Sequence, residues 1–331
     1  MTIDCGGDVA RAAHILQQGG LVAFGTETVY GLGANALDAA AVARVFDVKR
    51  RPTFDPLIVH VVDMSWVPRL TQTVPPAARM LMDAFWPGPL SIVLPKAECV
   101  PDLVTAGLPD VALRMPSHPL ARELLRAADR PVAAPSANMF GRISPTCAAH
   151  VGEQFVTGID YILDGGPCAV GVESTVVRVL GDSDRPERAV CELLRPGGVT
   201  IEQLREVVGA VQVLEDQQHP ELQAQSAPGR LPRHYAPGTP LELITESTVW
   251  EDRKRVGLLS AQPARNPERF AMIEVLSATA DLSECAVEFF AALRRLDAAE
   301  LDLIVAEPFP EEGLGRALND RLRRAARTFE E

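Results

Sequence analysis

The sequence predicts an α/β protein in two parts, and three observations carry that prediction. Short apolar runs alternate with segments of helical period through the first two hundred residues. A stretch rich in Gln and Pro then breaks both periods, and beyond it a strand–helix–strand rhythm returns. At 331 residues the chain can bury two cores. The expected parts are a first unit over 1–208, a linker over 209–240 and a small parallel α/β unit, Rossmann-like in its alternation, over 241–331.

Val9, Ala12, Ala13 and Leu16 fall at helical spacing, and Gly19-Gly20 stops that helix. "LVAF" reads as a buried strand running into a polar loop, "GTETVYGLGANA". Asp38 to Arg50 follows as a helix with Val42, Val45 and Phe46 on one face, ended by Pro52. "PLIVHVV", "LSIVL", "VALRM" and "PVAAPSAN" read as strands, with helices around 77–85 and over 120–128. "YILDGG", "STVVRVL" and "CELLRPGG" are further strands. Thr200 and Gln203 form a capping box opening a helix over 201–208. After the linker, "LELI", "RVGLLS", "MIEVLS" and "LDLIVA" read as strands and 282–296 and 315–329 as helices, an order that fits βαβ units.

The net charge of −12 is uneven: residues 1–205 carry 18 Lys+Arg against 22 Asp+Glu, and 206–331 carry 14 against 22. Holding a polyanion by counterion release needs a basic surface, so tight nucleic-acid binding is not expected. A local pocket for a small anion stays open. The six cysteines, at 5, 99, 147, 168, 191 and 285, show no C-x-x-C and no paired His spacing. That pattern fits isolated buried thiols rather than a zinc site or a disulfide framework. The N-terminus lacks a signal-peptide pattern, and no apolar run approaches the roughly 20 residues that span a bilayer. The chain reads as cytoplasmic, with no membrane partner.

No Walker-type loop occurs, "GLGANA" lacks the third Gly of a dinucleotide loop, and "GLGRAL" at 313–318 reads as a turn. An ATP site here must take its phosphate contacts from side chains. Lys49-Arg50-Arg51 ends a helix in a chain whose lysines stand only at 49, 96 and 254. Complementing the helix dipole would account for such cations at about 0.3–1 kcal/mol each. Arg would serve the dipole as well as Lys, however, and Pro52 makes the junction rigid. An ammonium beside a forked guanidinium suits different oxygens of a polyphosphate. "APSANMFGRISPT" sets Ser136, Asn138 and Ser144 after a strand, as turn chemistry or as ligand contacts. "GVESTVV" opens a strand with Ser174 and Thr175. Arg114 lies in an apolar strand, where a charge needs a partner or a ligand. His60 in "LIVHVV" is a hydrogen-bonded core histidine or a ligand contact.

In this order, "TETVYGLGANA", "KRRPTFDPLIVHV", "WPGPLSIVL", "LRMPSHP", "PSANMFGRISPT", "GVESTVV" and "LRPGG" resemble the YrdC-type threonylcarbamoyl-AMP synthases over about residues 8–208. The family's Lys-x-Arg…Ser-x-Asn signature falls on Lys49, Arg51, Ser136 and Asn138. "APGRLPRHYAP" with a smaller unit after it resembles the long, two-domain form. The resemblance implies a twisted mixed sheet with helices around a deep, positively lined cavity. It implies condensation of L-threonine, bicarbonate and ATP to threonylcarbamoyl-AMP and pyrophosphate, the first step of tRNA threonylcarbamoyladenosine synthesis, with transfer by downstream partner proteins. The alternative is a nucleotide- or RNA-binding module of the same fold without synthase activity. A carbamoyl-transfer domain like that of hydrogenase maturation proteins is disfavoured, because no zinc-finger or acylphosphatase segment accompanies it.

The resemblance also implies roles. Lys49 and Arg51 are the expected catalytic cations, and Lys49, Arg51, Asp55, Ser136, Asn138, Ser144, Arg195, Arg233 and His234 the expected ATP contacts. Thr28, His60, Arg114 and Ser174 are the expected threonine contacts. Mg²⁺ is expected to bridge phosphates and keep mostly water ligands, without a protein carboxylate cage. Asp55 stands where the family commonly has Asn, and a carboxylate near phosphate requires the metal or an Arg beside it. The linker is expected to close over the nucleotide as a lid.

Overall fold

Most strands of the larger sheet are short, apolar and buried. The computed structural model describes residues 3–180, 190–214, 234–244, 255–264 and 266–326. Among them, eleven strands form one mixed sheet: β1 (Cys5–Gly6), β2 (Val22–Phe24), β3 (Gly31–Asn35), β4 (Ile58–His60), β5 (Leu90–Pro95), β6 (Asp110–Arg114), β7 (Val132–Ala133), β8 (Tyr161–Leu163), β9 (Thr175–Leu180), β10 (Val190–Arg195) and β11 (Val211–Val213). Their order is β1-β8-β2-β3-β7-β4-β6-β5-β9-β10-β11. The helices packed with it are α1 (Val9–Gln17), α2 (Ala39–Lys49), α3 (Val67–Leu70), α4 (Pro76–Phe85), α5 (Asp102–Thr105), α6 (Pro119–Ala128), α7 (Ala148–Gln154) and α8 (Ile201–Val208).

Local chemistry sets the ends of the helices that matter here. Asp38 caps α2 by accepting from the Ala40 and Ala41 amides, and Arg50 closes it in the left-handed region at φ 51°. The expected capping box of α8 is formed by Thr200 and Gln203. Two expectations need correcting. "GLGAN" is a strand, not a loop: β3 pairs antiparallel with β2 and β7. Its glycines serve close packing, since a Cβ on Gly33 would lie 2.8 Å from both Phe24 and Val132 side chains. The larger sheet also runs past residue 208, because β11 pairs parallel with β10 inside the expected linker.

The smaller sheet is β12 (Leu241–Leu243), β13 (Val256–Ser260), β14 (Met272–Val275) and β15 (Leu303–Ala306), parallel throughout, in the order β12-β15-β13-β14. Helix α9 (Leu282–Asp297) is capped by Asp281, and α10 (Gly315–Ala325) stops short of the expected residue 329, with 327–331 outside the described residues. Phe289, Phe290 and Leu293 of α9 share one apolar cluster with Val29, Ile143 and Val172 of the larger unit. Gly171 lets the backbones meet: a Cβ there would lie 2.2 Å from the Ala286 carbonyl. No helix of the described residues is long and apolar enough to cross a membrane.

The register of the larger sheet prepares the site. His60 and Arg114 are partners across the parallel pair β4–β6, and Arg114 faces Ser91 across the antiparallel pair β5–β6. Registered partners share a face, so a His–Arg–Ser row stands at one end of the sheet.

Candidate active site

A cavity with about 510 Å³ of empty space, open solvent included, is bordered by His60 and Arg114 of that row. Its walls include Thr26, Thr28, Arg51, His60, Arg114, Ser136, Glu173, Ser174, Arg195, His234 and Tyr235. Residues from the first third of the chain to the end of the linker therefore converge on one space. The smaller unit backs this wall through the shared apolar cluster.

Of the expected nucleotide contacts, Arg51, Ser136, Arg195 and His234 border the cavity. The left-handed turn at Arg50 leaves that residue exposed and turns its two neighbours inward. Arg51 is anchored through Nε to the Asp55 carbonyl at 3.1 Å and Nη2 to the Pro56 carbonyl at 2.8 Å. Its Nη2 also lies 2.9 Å from the Asp55 carboxylate. Asp55 is thus the counter-charge of Arg51 and does not border the cavity. Burial pushes the Asp55 carboxyl up, while Arg51, Lys49 and Arg195 pull it back.

Lys49 does not border the cavity either. Only 1 % of it is exposed, and its ammonium donates to the Ser136 carbonyl at 2.5 Å and to the Asn138 carbonyl. Burial pushes it well below the usual lysine range, with Arg51 adding repulsion and Asp55 opposing. Its place is under the Ser136–Asn138 turn, which it ties to the end of α2. Asn138 is buried in that turn and donates to the Met139 and Arg142 carbonyls. Ser144 is buried and donates to Glu173 Oε1 at 2.6 Å. Arg195 donates to the Ser174 carbonyl at 2.8 Å. Arg233 lies outside the described residues, but its neighbour His234 packs edge-on against Phe140 at 6.0 Å. Burial holds His234 far below the usual histidine range, with Arg51, Lys49, Arg195 and Arg324 adding to it.

All four expected threonine contacts border the cavity. Arg114 pairs with Glu27 Oε1 at 2.6 Å and donates to the Gly88 carbonyl at 3.3 Å. Glu27 also accepts from the Ser117 and His118 amides. Burial raises Glu27, but the charge and hydrogen bond of Arg114 and the backbone amides outweigh it and hold the carboxyl low. Thr28 Oγ1 lies 2.8 Å from Thr26 Oγ1, and Ser174 Oγ lies 2.8 Å from Ser91 Oγ. His60 is pushed down to about 3 by burial and by Arg114, so its imidazole is neutral near pH 7. Its Nδ1 has no hydrogen-bond partner among the described residues.

Sequence reasoning missed Thr26, Glu27, Ser91, Glu173 and Tyr235. Glu27 and Glu173 lie inside "TETVYGLGANA" and "GVESTVV", where a charge beside buried hydroxyls was the available signal. Tyr235 is fully buried with φ 63°, a left-handed conformation uncommon for an aromatic residue, and nothing local marks it.

Known proteins are similar to this chain. The family model Sua5_yciO_yrdC, described as "Telomere recombination", matches residues 14–197. The model Sua5_C, described as "Threonylcarbamoyl-AMP synthase, C-terminal domain", matches residues 199–327. A threonylcarbamoyl-AMP synthase of Pyrococcus abyssi is 42 % identical over 95 % of this chain and 93 % of its own length. One from Bacillus subtilis is 41 % identical over 96 % and 92 %. The crystal structure of P. abyssi Sua5 with L-threonine superposes with a TM-score of 0.86 at 39 % identity, covering 98 % of this chain and 97 % of that one. Across both units, the chain belongs to the Sua5/YrdC family in its long form with the C-terminal Sua5 domain.

Proposed function

We propose that the chain condenses L-threonine, bicarbonate and ATP to L-threonylcarbamoyl-AMP and pyrophosphate, the first step of tRNA threonylcarbamoyladenosine synthesis. The observation that carries this reading is the convergence of Arg51, Arg114 and Arg195 on one cavity with Thr28, Ser136 and Ser174. Relatives matched over nearly their whole length bear the name of this activity.

In this reading the threonine carboxylate meets Arg114, whose guanidinium Glu27 already orients. Thr28, Ser174 and the neutral imidazole of His60 surround the hydroxyl; valine, lacking it, would leave these groups unpaired. Bicarbonate takes up a proton and loses water to give carbon dioxide, which the threonine amine attacks, losing a proton, to give a carbamate. A carbamate oxygen then forms a bond to the α-phosphorus, and the bond from that phosphorus to the departing pyrophosphate breaks. Charge builds on the phosphoryl oxygens and the pyrophosphate, where Arg51 and Arg195 are already fixed by buried hydrogen bonds. Lys49 contributes by holding the Ser136–Asn138 turn against the nucleotide.

Mg²⁺ would arrive with the nucleotide and neutralise phosphate charge. Glu173, which borders the cavity, is engaged by Arg321, and Glu27 behind it by Arg114, which fits an ion held by phosphates and water. Residues 214–240, between β11 and β12, serve as linker and lid in this reading, with transfer to tRNA left to downstream proteins.

Pyrophosphate release from ATP, with threonine and bicarbonate each left out in turn, tests the reading. Release should require both. Release indifferent to both omissions favours the nucleotide-binding alternative.

A further inference from the structure

One side chain carries the smaller unit into the wall of the cavity. Arg321 lies on α10 and is fully buried. Its Nε donates to Glu173 Oε2 at 2.9 Å, and its Nη1 donates to the Pro196 carbonyl at 3.0 Å. Asp320 accepts from the same Nη1 at 2.6 Å and also from Arg324 at 3.0 Å, and the guanidinium stands 5.1 Å from the Tyr235 ring. Glu173 precedes Ser174, and Pro196 follows Arg195; Glu173, Ser174, Arg195 and Tyr235 all border the cavity. The two segments also touch each other directly. Arg195 donates to the Ser174 carbonyl, and a Cβ on Gly197 would lie 2.3 Å from the Glu173 carbonyl.

We propose that Arg321 is a positioning residue of the active cavity, through which the smaller unit sets the placement of Ser174 and Arg195. The planar fork of a guanidinium meets a carboxylate and a carbonyl in fixed relative positions, where an ammonium is a compact point charge on a flexible stem. Arg321 also engages an acid that faces a site built for anions. With Arg321 gone, the Glu173 carboxylate keeps Ser144 as a partner, and its charge then opposes the triphosphate. The smaller unit thereby acts on substrate affinity without bordering the cavity itself.

The inference rests on the synthase reading, and the test separates the two. Full-length wild type, Arg321→Met and Arg321→Lys are compared by threonine- and bicarbonate-dependent pyrophosphate release, by ATP binding in a calorimeter and by thermal unfolding. Arg321→Met should raise the KM for threonine and the Kd for ATP roughly tenfold or more, and Arg321→Lys by a smaller factor, with kcat changing less than KM. If Arg321→Met does not fold, Arg321→Lys decides. KM and Kd within twofold of wild type in every variant that folds overturn the proposal, however unstable those variants are. Wild-type release that ignores threonine defeats the synthase reading instead, and the calorimetric arm still judges Arg321.

Discussion

The cavity has two walls built on different terms. From the larger sheet, polar groups reach in directly: Arg51, His60, Arg114, Ser136, Ser174 and Arg195. From the smaller unit, support comes through an apolar cluster and one arginine that touches the wall from behind. The first wall departs from ordinary folding rules by burying Lys49, Arg51, Asp55 and Arg114 together. The second keeps to those rules along α9, where Cys285, Phe289, Phe290 and Leu293 are buried, and departs from them on α10, where Arg321 and Arg324 are buried. Chemistry sits where charge is buried against its preference, and the regular unit supplies the rigidity that keeps it there.

Substitutions on the first wall should sharpen that contrast most. Arg51→Gln removes a cavity cation and strands the Asp55 carboxylate, so it should lower kcat/KM by about 10²–10³ and cost about 3–5 kcal/mol of stability. Adding Asp55→Asn should restore stability in a denaturant titration and leave activity low. Activity returning with stability would make Arg51 structural and erase the difference between the walls. Lys49→Ala, acting through the Ser136 carbonyl, should lower the rate about tenfold or more by loosening one turn. An unaffected rate in the pyrophosphate assay removes Lys49 from the account. Ser91→Ala deletes one of two partners of the Ser174 hydroxyl, the other being Arg195, and should raise the threonine KM roughly three- to tenfold, the worth of one hydrogen bond, without changing the KM for ATP. Equal shifts for both substrates would place Ser174 at the nucleotide instead.

The smallest effect concerns pH. His60 is held near 3 when folded and titrates near 6.5 when unfolded, so between those values the unfolded chain binds the extra proton. Its contribution is whole above about pH 6.5 and is lost as pH falls toward 3. His150, lowered to about 4 by burial and by Arg294 and Arg295, acts in the same direction. His60→Gln should flatten the decline in stability between pH 6.5 and 5, read from urea midpoints. An unchanged slope would mean that His60 is not the buried neutral group described.

The two units also differ in how openly their sequences declare them. The strands "RVGLLS" and "LDLIVA" and the helix over 282–296 show a single period each, and they stand as β13, β15 and α9. "GLGAN" hid a strand, because its glycines are small for packing against Phe24 and Val132 rather than for turning. At the site, Arg51, Arg114 and Ser174 were marked by charge or hydroxyl beside apolar runs. Lys49 and Asn138 were marked too, but their place one layer behind the cavity depends on a turn geometry that spacing does not encode. Arg321 was invisible: an arginine on an amphipathic helix reads as a solvated face until a partner 148 residues away covers it.

The central claim is that scattered arginines, without a glycine-rich loop, hold a triphosphate in the cavity of the larger unit. A crystal structure with a non-hydrolysable ATP analogue and L-threonine tests it most directly. Phosphate oxygens within hydrogen-bond reach of Arg51 and Arg195, and the threonine carboxylate on Arg114, are the expected result. A nucleotide seated at the edge of the smaller sheet, with Arg51 still bound only to Asp55 and Pro56, would contradict it.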